Sequence, residues 1–198
     1  MLEVITPAVT HDLTVLDTLK SELMVTGTAD DAYLDSLIAQ VSAACARHCS
    51  RTGWGRETLR QTERPAKSLD CIILARDLAP SITSVIEDGT TLAVTDYELD
   101  GSLLYRLFAD RRTSWTGSKI VVTYSAGFLT LTDLPYDLER AALEWLKACY
   151  ANRGNNPLVR SQSAQDVGSV SYHDPRAGLE AMPPQTAGYL APWKLQAP

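Results

Sequence analysis

The stretch from Gly154 to Pro198 constrains this chain most. It holds six of the ten prolines and four of the eleven glycines, too many breakers for a self-supporting domain. It also carries apolar anchors at intervals: Leu158, Val159, Val167, Val170, Tyr172, Leu179, Met182, Tyr189, Leu190, Trp193 and Leu195. A free linker would be rich in Ser, Glu and Lys and poor in aromatics. Tyr and Trp are instead strong anchors in pockets on other surfaces. The chain therefore reads as a body, residues 1–154, followed by an extended arm, residues 155–198, made to lie on that body or on another subunit.

The body is long enough for a core. A domain of roughly 150 residues buries about 68–70% of the surface its unfolded chain exposes, and 45% of this sequence is hydrophobic. The first helix is expected over residues 14–26, where Thr14 and Asp17 have capping-box spacing and Leu16, Leu19 and Leu23 recur at helical intervals before Gly27. The second is expected over residues 30–52. Asp30 and Asp31 suit its positive end. Leu34, Leu37, Ile38, Val41, Cys45, His48 and Cys49 form one apolar stripe, Arg47 and Arg51 suit the negative end, and Gly53 is expected to close it.

The period then changes. Strands are expected over residues 57–63, 69–74, 82–88, 91–99, 103–108 and 119–125. The dipeptides Asp88-Gly89 and Asp100-Gly101 mark hairpins, and Pro65 and Pro80 punctuate the runs. Residues 108–117, with Asp110, Arg111, Arg112 and Trp115, read as an exposed loop between strands. A third helix is expected over residues 134–153, with Asp133 as cap, Pro135 in the first turn, and Leu138, Ala142, Trp145, Leu146 and Cys149 on one face. A helical frame with an antiparallel β insertion over residues 57–127 is an α+β fold.

Few residues suggest chemistry. Cys45, His48 and Cys49 share a helix face and could converge on a metal, with Cys71 or Cys149 as a fourth ligand. They also lie on the stripe that carries Leu34 and Val41, and small thiols are among the side chains most often buried in cores, so core packing is the preferred reading. His11 and His173 lack ligand-spaced neighbours. The Asp174-Pro175 turn accounts for the acid beside His173 better than a general base with its orienting carboxylate does. No nucleophile elbow, Walker loop or dinucleotide-binding glycine motif occurs. Asp30, Asp31 and Asp35 read as a solvated helix start rather than a metal cluster. Arg111 and Arg112 beside Trp115 suit a protein contact better than a phosphate, because the net charge is −6. That charge argues against a free-standing nucleic-acid binder, though not against a protein that surrounds DNA without gripping it. No apolar run reaches the roughly eighteen residues of a membrane span. The first residues lack the basic and apolar regions of a signal peptide. With reduced thiols expected at all four cysteines, the expected setting is a cytosol.

The order of these signatures resembles the head–tail connector (adaptor) family of tailed bacteriophages. LDTLKSEL at 16–23 is similar to the family's opening helix. DDAYLDSLIAQVSAACARHCSRTG at 30–53 is similar to its second helix, apart from Cys45, His48 and Cys49. Residues 82–99 and KIVVTYSAG at 119–127 resemble its β insertion, and LPYDLERAALEWLKACYANR at 134–153 resembles its Leu-Pro-x-Asp-Leu helix. SQSAQDVGSVSY at 161–172 and LAPWK at 190–194 resemble elements of its arm. The resemblance implies a ring, expected to hold twelve copies, between a portal protein and a stopper or tail-completion protein, with double-stranded DNA passing through the lumen. The implied location is the neck of a phage or phage-like particle assembled in the bacterial cytoplasm. Neither catalysis nor a cofactor is expected. Contacts with portal or a neighbouring copy are expected at Ser169, Val170, Ser171, Tyr172, Tyr189, Leu190, Trp193 and Lys194, and further contacts at Asp110, Arg111, Arg112 and Trp115. Two rival readings are a metal-dependent enzyme built on Cys45, His48 and Cys49, and a DNA-binding packaging regulator using Arg111 and Arg112.

Overall fold

The computed structural model of the 198-residue chain describes residues 1–153, 161–164, 168–171 and 182–195, with the backbone alone at 161–164 and 168–171. The fold is α+β, as expected. Two compact units share the chain: residues 1–10 with 54–133, and residues 11–53 with 134–198.

The first unit is the β unit. Its main sheet has five antiparallel strands in the order β1 (Leu2–Thr6), β2 (Glu57–Glu63), β9 (Ile120–Ala126), β4 (Ser81–Glu87), β5 (Thr90–Thr91). β9 is central because it is the strongest strand former. Ile120, Val122, Tyr124 and Ala126 are buried and the residues between them are half-buried, the period of two that a pleated strand imposes. A second sheet has the order β3 (Ile72–Ile73), β7 (Leu103–Phe108), β6 (Tyr97–Asp100), and β8 (Arg111–Thr113) pairs with β7. One core takes residues from both sheets, including Leu59, Val85, Val122, Ile72 and Leu104.

The buried polar groups in this unit are satisfied by the backbone they organise. Gln61, nearly fully buried, donates from Nε2 to the Ile73 carbonyl at 2.8 Å and accepts from the Ala75 amide at 2.9 Å. The Tyr124 hydroxyl donates to Gln61 Oε1 at 3.3 Å and accepts from the Arg76 amide at 3.2 Å. This network fixes the irregular segment after β3, where the expected strand over 69–74 shrinks to two residues. Unmade hydrogen bonds at such depth would be expensive. Past β9, Gly127 sits at φ +104, and a Cβ there would lie 2.3 Å from the Gly55 carbonyl oxygen. Only glycine lets the chain run beside Gly55, where the two stretches bridge.

Three turns set the hairpins. Asp88-Gly89 and Gly101 take positive φ as expected. The third was missed. Ala109 (φ 47) and Asp110 (φ 62) form a two-residue turn closed by the Phe108–Arg111 pair, so the expected loop over 108–117 begins with a strand, β8. β1, outside the expected 57–127 insertion, was missed as well.

The second unit is helical: α1 (Leu16–Leu23), α2 (Asp31–His48), α3 (Tyr136–Ala151) and α4 (Pro184–Leu190), with a β10–β11 hairpin (Ser161–Ala164, Gly168–Ser171). The helices are shorter than expected, and their ends use other residues. Thr14 is no cap: it is buried and donates to Glu139 at 3.2 Å. α1 ends at Met24, not Gly27, and the left-handed residue after α2 is Ser50, not Gly53. Asp133 does not cap α3. It accepts from the amide and hydroxyl of Thr130 and closes a 3-10 turn.

The acidic residues at the start of α2 are ties between helices, not a solvated face. Asp31 meets Lys20 at 2.6 Å, and Asp30 meets Arg153 at 2.6 Å and the Tyr150 hydroxyl at 3.0 Å. Arg153 also lies over the Tyr33 ring, 4.3 Å from its centroid. The Arg153 and Tyr150 hydrogen bonds hold the Asp30 carboxyl below its ordinary pKa. These ties fix the end of α3, from which the arm departs.

Candidate assembly surfaces

The end of the arm returns to its own helical unit. In α4, Thr186 and Leu190 are buried, and Thr186 donates to the Ala141 carbonyl of α3 at 3.2 Å. The following turn, Ala191–Trp193, is tied to the end of α2. The Leu195 amide donates to the Cys49 carbonyl at 2.9 Å, and Arg51 Nε donates to the Trp193 carbonyl at 2.7 Å. The Cys49 thiol donates weakly to the Leu190 carbonyl at 3.7 Å. Seven residues with an internal glycine make a poor isolated helix. Tertiary contacts therefore hold it.

This placement corrects one expected contact. Leu190 is not offered to a neighbour: it is fully buried in its own unit, because α3 presents an apolar face that α4 covers. Tyr189 and Trp193 are half-buried and Lys194 is exposed. Ser169, Val170 and Ser171 form β11, paired antiparallel with β10, while Tyr172 lies outside the described residues.

Cys45 and Cys49 are fully buried. Burial, with Cys49 nearby, pushes the Cys45 thiol up to about 12, and burial raises Cys49 too. Thiols buried in this way behave as small apolar core side chains. Burial and the nearby Lys194 charge lower the His48 pKa, which favours the neutral ring. Among the described residues no group of three His, Cys, Asp or Glu side chains is placed to hold an ion. Cys71 and Cys149 are half-buried and free.

The β7–β8 hairpin corrects a second expectation. Trp115 is not at an exposed tip. It is fully buried in the β-unit core, its indole Nε1–H donates to the Leu104 carbonyl at 3.1 Å, and its backbone exchanges two hydrogen bonds with Leu69. Glu87 and Asp88 bind the amides of Gly117, Ser118 and Lys119, so the segment after Trp115 is also fixed. Asp110, Arg111 and Arg112 are exposed. Arg112 is engaged, at 2.8 Å from Glu98 and 3.2 Å from Asp100, with its guanidinium 3.9 Å above the Tyr105 ring. Its bond to Glu98 lowers that carboxyl's pKa and raises its own. An arginine neutralised by two carboxylates is a poor phosphate anchor.

Two apolar surfaces escaped the sequence reading. Phe108, at the hairpin turn, is 76% exposed, and every residue of β1 is exposed. Alternation along a strand does not tell an edge from a centre, so neither carried a signal.

No family model matches the chain, and no curated protein matches it by sequence. Solved structures do match. A chain from the neck of an empty gene transfer agent particle, computed with sixfold symmetry, superposes with a TM-score of 0.60 at 18% identity. A chain from the neck of the native particle, computed with twelvefold symmetry, gives 0.53 at 18%, and one from the native virion gives 0.55 at 17%. Each alignment covers 100% of this chain and 97% of the other. The chain has the fold of a gene transfer agent neck chain. The likeness spans both units, so the neck-chain fold includes the β unit as well as the helices.

Proposed function

We propose that this chain is a structural head–tail adaptor of a phage or phage-like particle. Copies form a ring of twelve that joins the portal to a stopper or tail-completion protein and surrounds the DNA channel. The observation that carries this reading is the end-to-end fold match to a neck chain of a gene transfer agent particle. The twelvefold symmetry applied to one of the matched necks supports the ring size. The net charge of −6 and the engaged Arg112 suit a wall past which a duplex slides. The chain is read as acting by assembly in the virion neck, after synthesis in the bacterial cytoplasm, and not as an enzyme.

The arm divides the work. Residues 182–195 complete the helical unit, and β11 with the residues around it supplies the contact to portal or to a neighbouring copy by edge-strand addition. Each such contact is weak, and a ring multiplies it. Deleting residues 161–171 removes β10 and β11 and leaves α4 in place. The shortened chain is expected to keep its unfolding midpoint and to lose co-sedimentation with portal. Undiminished co-sedimentation would contradict this role for the hairpin.

A further inference from the structure

We infer that β1 is a junction strand. Its open edge pairs with the open edge of β4 in a second copy of this chain, so that the main sheets of adjacent subunits continue into one another. The inference rests on the ring-forming adaptor reading and deepens it.

β1 is the outermost strand of its sheet. The Thr62 amide donates to the Met1 carbonyl at 2.8 Å, which makes that pair hydrogen-bonded. Antiparallel ladders alternate. Glu3, opposite Arg60, is therefore bonded inward, while Leu2 and Val4, opposite Gln61 and Leu59, turn their N–H and C=O groups outward. Their side chains share a face with Gln61 and Leu59, which are buried. The core-facing row thus runs out onto β1 and ends uncovered, with Leu2 36% and Val4 44% exposed. Natural sheets guard such edges with lysine, proline or a covering loop. β1 has no lysine or proline, its register shift falls only past Val4, and its one charged side chain, Glu3, sits on the opposite face beside Arg60 at 3.5 Å.

The complementary edge lies at the far side of the same sheet. β5 covers β4 only at Ile86 and Glu87, and the Leu92 amide takes the Val85 carbonyl. Residues Ser81–Ser84 have no sheet partner on that side among the described residues. This stretch carries no charge, and Ile82 packs on the core face. Between β1 and β4 lie three antiparallel steps, so the two strands run in opposite directions. A second copy in nearly the same orientation therefore brings its β4 antiparallel to β1 without any reversal. The apolar row Leu2–Val4 then meets Ile82. Two different edges on one chain make a heterologous contact, the kind that closes into rings.

Val4→Pro removes one outward donor and leaves the β1–β2 ladder intact. Ile82→Pro does the same at β4: Tyr124, opposite Ile82, gives its N–H and C=O to Leu59 of β2, so the Ile82 amide points away from β9. Full-length wild type and both variants are mixed with portal, rings are counted as annuli in images, and amide exchange is followed over residues 1–10 and 80–85. Each variant is expected to give about tenfold fewer rings than wild type, because the defect recurs at every junction. A one-to-one mixture of the two has one competent edge on each chain and should stop at dimers. Wild-type amides of Leu2 and Val4 should become protected on ring formation, together with Ser81–Ser84. If wild type forms rings while those amides still exchange freely, or if Ile82→Pro forms rings normally, the junction is wrong and the adaptor reading stands. The second result would leave β1 to a twofold-related β1 or to the arm hairpin. If wild type itself forms no ring, the adaptor reading fails and takes the junction with it. Should Val4→Pro not fold, the wild-type exchange data decide by the same criterion.

Discussion

Replacing Trp115 with alanine is expected to cost about 3–5 kcal/mol of stability, the range for emptying a large aromatic site in a core. Trp115 is fully buried among Leu59, Ile72, Leu104 and Val122, and its indole N–H is bonded to the Leu104 carbonyl. The truncation leaves a cavity in the core that joins the two sheets, where Ile72 and Leu104 of the second sheet pack. Arg111→Ala, four residues earlier on the exposed strand, should change stability by no more than about 0.5 kcal/mol. Guanidinium unfolding followed by near-ultraviolet circular dichroism separates the two. If Trp115→Ala tracked Arg111→Ala, the second sheet would not pack as described.

The other large effect is expected at Leu190, where alanine should cost about 2–5 kcal/mol. Leu190 is the fully buried apolar anchor of α4, a helix with almost no intrinsic stability. Losing it should release the whole segment from Pro184 to Leu195 and uncover the apolar face of α3 around Ala141 and Ala142, both fully buried. Proteolysis should then cut near residue 182 before it cuts the rest of the helical unit. A Leu190→Ala chain with unchanged melting and an intact C-terminal segment would show that α4 is an ornament and not part of the fold. This result also separates the two halves of the arm, since a variant that fails to join portal for want of α4 has lost its fold and not its contact.

Much of this architecture could be read from residue order, and the exceptions have physical causes. β2 and β7 fall at their expected bounds because alternation and turn dipeptides frame them. β9 was legible from its β-branched run. Helix ends were not, since Met24 and Ser50 take the left-handed conformation where glycine was expected. The Ala109-Asp110 turn carries no glycine or asparagine, so its hairpin passed for a loop, and Trp115 passed for a loop aromatic when its partner Leu69 lies far away in sequence. Asp30 and Asp31 looked like dipole complements because their cationic partners, Arg153 and Lys20, come from other helices. Which arm residues lie on the chain's own body was hidden for a similar reason. Leu190 and Trp193 looked equally available, and only the apolar face of α3 decides that Leu190 goes inside. Edges of a sheet, where the candidate junction lies, are set by strand order and not by any one strand, so β1 gave no warning of its exposure.

The central claim is that copies of this chain build a ring on a portal. Images of the portal alone and of the portal mixed with the full-length chain test it directly. The account predicts an added coaxial annulus of regularly spaced subunits on one end of the portal, its channel left open. A portal that looks the same with and without the chain, or that binds scattered copies never closing into an annulus, would contradict it.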